Sequence, residues 1–374
     1  MGHLVLVGGG HAHAGVLFGM ADLIKAGHRV TLVNLTAQHY YSGMGPGVLG
    51  EAYTPEEITF PVRNMVLAAG GEFVEDRVLS VDAVPRTLRL ASGDTLPYDV
   101  LSLNAGSVIP TPQGSPEPQG DVYTVKPIQN LWHGGTRIKE LLSQGEVRVA
   151  VVGGGPAALE VAGNVAGLGE RYTGNCGGRV PQVRVFAGRA FLKSLPDKAR
   201  ALARKSFKQR GIEILENGYV ASAEAGQVVM ESGERFEADV IFLALGVKPP
   251  ALFADSGLPT GFDGGMAVNE FLQCTAHPEI FGGGDCIHFS PRPLDKVGVF
   301  AVRQHPVLTH NLHACLEGRE LIPFDPGGPY LLVFNLGNGH GIFIKKNILF
   351  GGRLAFFIKD VIDRRFMRQF RPWL

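Results

Sequence analysis

His3-Leu4-Val5-Leu6-Val7 runs straight into Gly8-Gly9-Gly10-His11-Ala12-His13-Ala14, and Arg29-Val30-Thr31-Leu32-Val33 follows one stretch of helical spacing later. A β-prone apolar run, a glycine break, apolar positions three and four apart over residues 13 to 26 and a second apolar run predict strand, turn, helix, strand. In such a unit Gly8 makes the tight turn and Gly10 lets the backbone approach a pyrophosphate. The positive end of the helix then faces the anion. His13 stands where the usual spacing has a third glycine, and the acid expected at the end of the second strand is Asn34. An amide there bonds a ribose hydroxyl more weakly than a carboxylate does.

The pattern returns. Val147-Arg-Val-Ala-Val-Val152 leads into Gly153-Gly-Gly155-Pro-Ala-Ala158-Leu-Glu160, with a helix expected from about Ala157 to Gly167, a loop over Gly169 to Pro181 and a strand over Val183 to Phe186. That strand ends in Ala187-Gly-Arg189 with no acid. Arginine without an acid points to a ribose 2′-phosphate and so to NADPH, unless the second unit is vestigial. Tyr98-Asp-Val-Leu-Ser-Leu-Asn-Ala-Gly106 is mirrored by Ala238-Asp-Val-Ile-Phe-Leu-Ala-Leu-Gly246, so an internal duplication explains both halves. The Pro- and Gly-rich stretch Pro110 to Gly120 reads as a crossover between them.

Composition narrows the class. The 374 residues suit two to three domains, 45% are hydrophobic, and the formal net charge of zero argues against a nucleic-acid partner. Cys176, Cys274, Cys286 and Cys315 include no CxxC pair and no zinc spacing, which favours a reduced, cytoplasmic setting. No signal peptide is read before the opening strand, and no apolar run is long enough to span a bilayer. His11, His13 and His39 cluster near the first turn, yet His11 and His13 project to different sides of a helix start, so polar contact or packing is expected and no metal.

Thr275-Ala-His-Pro278-Glu-Ile-Phe-Gly-Gly-Gly284-Asp285-Cys286 carries an aspartate after a Gly-rich strand end, where a ribityl hydroxyl can donate to it and backbone amides can meet a diphosphate. Two Gly-rich units joined to this box resemble the pyridine nucleotide-disulfide oxidoreductase superfamily. Val7 to His13, His39-Tyr-Tyr-Ser-Gly-Met44, Val125-Lys-Pro127, Val299-Phe-Ala-Val-Arg-Gln304 and Lys359 to Met367 look most like its type II NADH dehydrogenase-like branch, found alone or fused ahead of selenophosphate synthetase.

The resemblance implies an α/β fold of two Rossmann-like domains. An FAD domain at 1–112 and 248–322 is interrupted by an NAD(P)H domain at 113–247, and 323–374 form a small C-terminal α+β region. It also implies FAD as cofactor, NAD(P)H as co-substrate and often a quinone acceptor. By the same resemblance Gly8, Gly10 and Asp285 bind FAD, Gly153, Gly155 and Glu160 carry the nicotinamide motif, and Gln304 matches one of two quinone-pocket glutamines. The other falls on Val299, and Lys126 belongs to the pattern without an evident role. Further cofactor contacts are expected at His11, Ala12, Asn34, Met44, Val78, Ala105, Gly106, Arg189, Gly246 and Gly284. No side chain is assigned as acid, base or nucleophile, because a flavin carries the chemistry.

Leu354, Phe357, Ile358, Val361, Ile362, Phe366 and Phe370 recur at helical spacing, opposite Arg353, Lys359, Arg364, Arg365 and Arg368 with Asp360 and Asp363. Such a helix either lies in a membrane interface or docks on the FAD domain with its basic face in water. The same surface could pair two copies. Three functions are compatible: an NAD(P)H oxidoreductase passing electrons to a second small-molecule acceptor, an FAD enzyme acting on a sulfur or selenium compound, and a non-catalytic flavin-bound redox-sensing module.

Overall fold

The computed structural model describes residues 1–175 and 178–373. Two five-stranded parallel sheets carry it. The first runs in the spatial order Ile280–Gly282, Val100–Leu103, His3–Val7, Arg29–Asn34, Glu72–Glu75. The second runs Val122–Thr124, Val240–Leu243, Arg148–Val152, Gln182–Phe186, Glu213–Leu215. Parallel strands are covered on both faces, which is why the central ones read as unbroken apolar runs. Leu4, Val5, Leu6, Val149, Val151 and Val152 are all buried.

The duplication is visible in detail. Each unit adds a three-stranded antiparallel meander, Val78–Asp82 through Pro97 and Val220–Glu224 through Ala238, and each meander shifts register at the matching place, Val78/Ser80 and Val220/Ser222. Asp99 accepts from His3 N and Asp239 from Arg148 N, both at 2.7 Å, tying equivalent strands together. Val108 and Lys248, equivalent residues beyond those strands, exchange hydrogen bonds with each other and link the units. Because Ile280–Gly282 completes the first sheet from beyond the second, the first unit is discontinuous and the second is inserted in it.

Two differences from the sequence reading have physical causes. The helix expected to stop near Gly167 runs from Pro156 to Tyr172 and tightens into a turn at Thr173–Asn175. Its last turn is held by tertiary contacts: Glu170 pairs with Arg210, and Arg171 donates to Gly337 O. Cys176, part of the expected loop, lies outside the described residues.

The second difference concerns the helix Arg353–Met367. It docks through Ala355, Lys359, Asp363 and Met367, while Leu354, Phe357, Val361 and Ile362 are between 44% and 61% exposed. Of the charged face Lys359 and Asp363 are buried, and of the apolar stripe these four residues point outward while Phe366 and Phe370 pack inward. Polar groups of the docked face are all satisfied: Lys359 Nζ donates to Gly43 O at 2.5 Å and to Asp363 at 2.6 Å, and Tyr41 Oη donates to Asp363 at 2.9 Å. Below it lies a three-stranded antiparallel sheet, Leu332–Asn335, Gly341–Lys345 and Ile348–Gly352, from which Phe334 and Ile342, with Leu336 just beyond the first strand, join the second core, while Met367 and Phe370 join the first.

Candidate cofactor site

Both glycine turns are set by close approach of backbone. Gly8 has φ +87°, and a Cβ on it would stand 2.3 Å from Asn104 O. Gly153 has φ +140°, and its Cβ would stand 2.2 Å from Ala244 O, the equivalent carbonyl. No other residue fits either place.

The neighbours of the first turn hold it open. Gly9 N–H donates to Asn34 Oδ1 at 2.9 Å, and the Asn34 amide donates to Thr36 O at 2.7 Å. Asn34 therefore braces the turn, with one amide N–H engaged by Thr36 O and its oxygen by Gly9. His13 is a second brace, its ring nitrogens 2.6 Å from Gly8 O and 2.8 Å from Ser102 Oγ. Burial lowers its pKa to about 4, so it is neutral. His11 turns the other way. It stacks on Phe366 at 5.4 Å and packs near Tyr41, Phe60 and His39, with Nε2 buried and unpartnered. Burial, reinforced by His39, takes its pKa to about 3. Among the described residues no three His, Cys, Asp or Glu side chains are grouped to hold a metal.

Opposite this turn lies Gly284–Cys286. Asp285 Oδ2 accepts from Lys126 Nζ at 2.9 Å and Ser107 Oγ at 2.8 Å, and Lys126 also donates to Ser107 at 2.6 Å. Burial disfavours the ionised Asp285, yet the Lys126 charge and these hydrogen bonds hold its pKa below the ordinary value. Its Oδ1 accepts from no donor among the described residues. Gln304, buried, accepts from Gly284 N–H at 2.7 Å through Oε1 and so fixes this turn. Asn104 sits between the two turns: a Cβ on Gly10 would stand 2.8 Å from its Nδ2, and one on Gly284 would stand 2.6 Å from its Oδ1. That Nδ2 is buried without a partner.

An unused amide donor, an unused carboxylate oxygen, a helix start and a cradle of side-chain-free backbone suit a diphosphate joined to a polyol, and thus FAD. Asn104 and Ser107 were not picked out from sequence, and Lys126 had no role there. The signal was present: Asn104 is the one polar residue at a strand end whose repeat partner is Ala244.

The remaining expected positions scatter around these turns. Ala12 is fully buried beneath Gly283, whose Cβ would stand 2.7 Å from it. Met44 is buried just ahead of the short helix Gly45–Leu49. Val78 opens the first meander, Ala105 and Gly106 follow Val100–Leu103, and Gly246 follows Val240–Leu243. Gly155 directly precedes the helix Pro156–Tyr172, and Arg189 is exposed beyond Gln182–Phe186. Glu160, in the first turns of that helix, accepts from Asn335 N–H at 2.7 Å. Burial pushes its carboxyl up to about 7 against the pull of Lys359. Cys274, Cys286 and Cys315 are free thiols. Cys286 donates to Leu103 O and Gly283 O, and burial pushes it up to about 12, so it packs and does not react at neutral pH.

Known proteins resemble this chain in sequence and in fold. The chain is 25% identical over 343 residues to the alternative NAD(P)H-ubiquinone oxidoreductase C1 of Arabidopsis thaliana, covering 79% of this chain and 63% of the relative. It spans 63%, 50% and 35% of the lengths of three curated relatives it matches. Two solved structures superpose with a TM-score of 0.79: the sulfide:quinone oxidoreductase of Aquifex aeolicus, at 16% identity over 100% of this chain and 92% of that one, and NDH2 from Plasmodium falciparum in complex with NADH, at 14% over 99% of each. The pyridine nucleotide-disulphide oxidoreductase family model matches residues 2–311. With two glycine turns, a Gly-Asp box facing the first of them and a match over most of its length, the chain belongs to the pyridine nucleotide-disulphide oxidoreductase family.

Proposed function

We propose that this protein is an FAD-dependent NAD(P)H oxidoreductase that delivers electrons to a quinone. The observation that carries the reading is the Asn104–Asp285–Lys126 arrangement between two glycine turns, with a second, intact turn at Gly153 for the donor. Bound flavin supplies hydride acceptance and electron release. The chain's own residues do the rest. Gly8 and Gly10 admit the diphosphate, Asn104 offers it an amide, and Asp285 offers its free oxygen to a ribityl hydroxyl. Gly153 and Gly155 place the nicotinamide nucleotide, and neutral His11 and His13 add no charge beside the cofactor.

The sulfide-oxidising reading meets a chemical obstacle. Its solved neighbour superposes equally well, but likeness at 16% identity speaks for the fold alone. Cys286 points into the protein, and burial raises Cys274 and Cys315 as well, so none of these three, the cysteines among the described residues, is poised as a thiolate. Anaerobic titration of the yellow protein decides. NADPH or NADH is expected to bleach the visible flavin band within mixing, and a short-chain quinone to restore it. Bleaching by sulfide with no response to either nicotinamide would overturn the proposal.

We further infer that the helix Arg353–Met367 lies in a membrane interface on the cytoplasmic side; among the described residues no helix is long and apolar enough to cross one. Leu354, Phe357, Val361 and Ile362 face outward, with Arg365 and Arg368 exposed on the same helix and the turn after it. The protein is expected to float with anionic vesicles, and Phe357→Asp to weaken that binding about tenfold or more. Failure of the unaltered protein to float, with a concentration-dependent doubling of mass instead, would assign the face to a second copy.

A further inference from the structure

The end of the strand Gln182–Phe186 is where the adenosine ribose of a nucleotide meets the second unit, because Gly153 N–H donates to Phe186 O and Gly154 lies against the Ala187 carbonyl. An enzyme selective for NADH places a carboxylate there to hold the ribose diol. Here Ala187 fills the position, buried, with its N–H bonded to Leu215 O. At Gly188, φ +68°, the chain turns outward, and a Cβ would stand 2.8 Å from the Tyr219 ring. Arg189 therefore projects from the turn with its guanidinium carbon 5.6 Å from the centre of that ring.

Arg189 is exposed and makes no hydrogen bond or ion pair among the described residues. Glu216, the acid after the next strand, is already committed. Its Oε1 accepts from Phe191 N–H at 2.7 Å, and Arg204 reaches both its oxygens at 2.6 and 2.7 Å. The Arg204 hydrogen bond, with that from Phe191 N–H, outweighs burial and holds its pKa below the ordinary value. Thus the charge free at this place is positive, and among the described residues no carboxylate pairs with it.

We propose that Arg189 and Tyr219 form a subsite for a ribose 2′-phosphate, so that NADPH is preferred over NADH. The inference rests on the NAD(P)H reading above and names the donor for that same site. A guanidinium offers a phosphate dianion parallel N–H donors, whereas an acid at position 187 would repel it. The Tyr219 ring steadies the guanidinium plane without neutralising its charge.

The test uses the FAD-loaded protein and two nucleotide fragments, 2′,5′-ADP and 5′-AMP, titrated by calorimetry, alongside flavin bleaching by each nicotinamide. Binding of 2′,5′-ADP is expected to be about tenfold or more tighter than that of 5′-AMP, weakening with salt, with a matching NADPH preference in kcat/KM. Arg189→Gln, an exposed position, should erase the difference. Equal affinities in the unaltered protein, or a preference that survives Arg189→Gln, would overturn the subsite. NADH bleaching the flavin while 2′,5′-ADP shows no advantage sinks the subsite and keeps the oxidoreductase reading. An Arg189-dependent advantage with no bleaching by either nicotinamide supports the subsite and sinks that reading.

Discussion

Asp285→Ala should come off the column colourless. Its carboxylate is the acceptor left over after Lys126 and Ser107 have taken Oδ2, and it is held ionised against burial. Removing it deletes a charge-assisted hydrogen bond to the cofactor and leaves the Lys126 ammonium, with 27% of its side chain exposed, lacking its counterion. A charged hydrogen bond is worth about 1.5–3 kcal/mol, and the stranded ammonium adds to the loss, so FAD affinity should fall about a hundredfold or more. Asp285→Asn keeps the shape without the charge and should fall between. Lys126→Met tests the same pair from the other side. Burial is then opposed only by the Ser107 hydrogen bond and the Lys296 charge, so the Asp285 pKa rises, and FAD retention should become pH-sensitive and be lost as pH falls through the raised value. The ratio of flavin to protein absorbance after dialysis, over a pH series, reads all three variants. Full FAD occupancy in Asp285→Ala would remove this residue from the site.

Lys359→Met should be the most destabilising single change on the docked helix. The Lys359 and Asp363 side chains are 9% and 6% exposed, and each has its polar atoms met by the other, by Gly43 O or by Tyr41. Cutting one member strands a buried carboxylate, a change that costs about 3–5 kcal/mol, whereas replacing both with apolar residues is close to neutral. The lysine also supplies the positive charge that draws the Glu160 carboxyl down, so its loss raises that pKa further. Thermal unfolding should show a large drop for Lys359→Met and recovery of most of it in Lys359→Met/Asp363→Leu. A single variant as stable as the parent would mean that the pair is solvated.

What could be read from sequence was local. Buried parallel strands are written as apolar runs, and a turn needing positive φ is written as glycine, so both units, Gly8, Gly153 and the Gly-Asp box were legible. What could not be read depends on distant partners. Asp285 meets Ser107 across 178 positions and Lys126 across 159, and neither pairing leaves a periodic trace. Asn34 stands at the strand end where a ribose contact is expected, and nothing in the sequence signals that it also braces the turn through Gly9 N–H. The C-terminal helix shows the same limit. Periodicity grouped its apolar residues, but the structure turns Leu354, Phe357, Val361 and Ile362 outward and Phe366 and Phe370 inward, and Lys359 and Asp363 dock against Tyr41 and Gly43, 322 and 316 positions away.

The interrupted first unit has a consequence for the nascent chain. As synthesis proceeds, the inserted unit has all five of its strands once residue 243 has emerged, whereas the outer unit lacks the partner of Val100–Leu103 until Ile280–Gly282 follows. For that interval Val100–Leu103 presents an open row of amides and carbonyls to whatever is nearby. Ribosome stalling or truncation between residues 243 and 280 should therefore yield aggregates seeded by the N-terminal half, while the inserted unit stays folded within them.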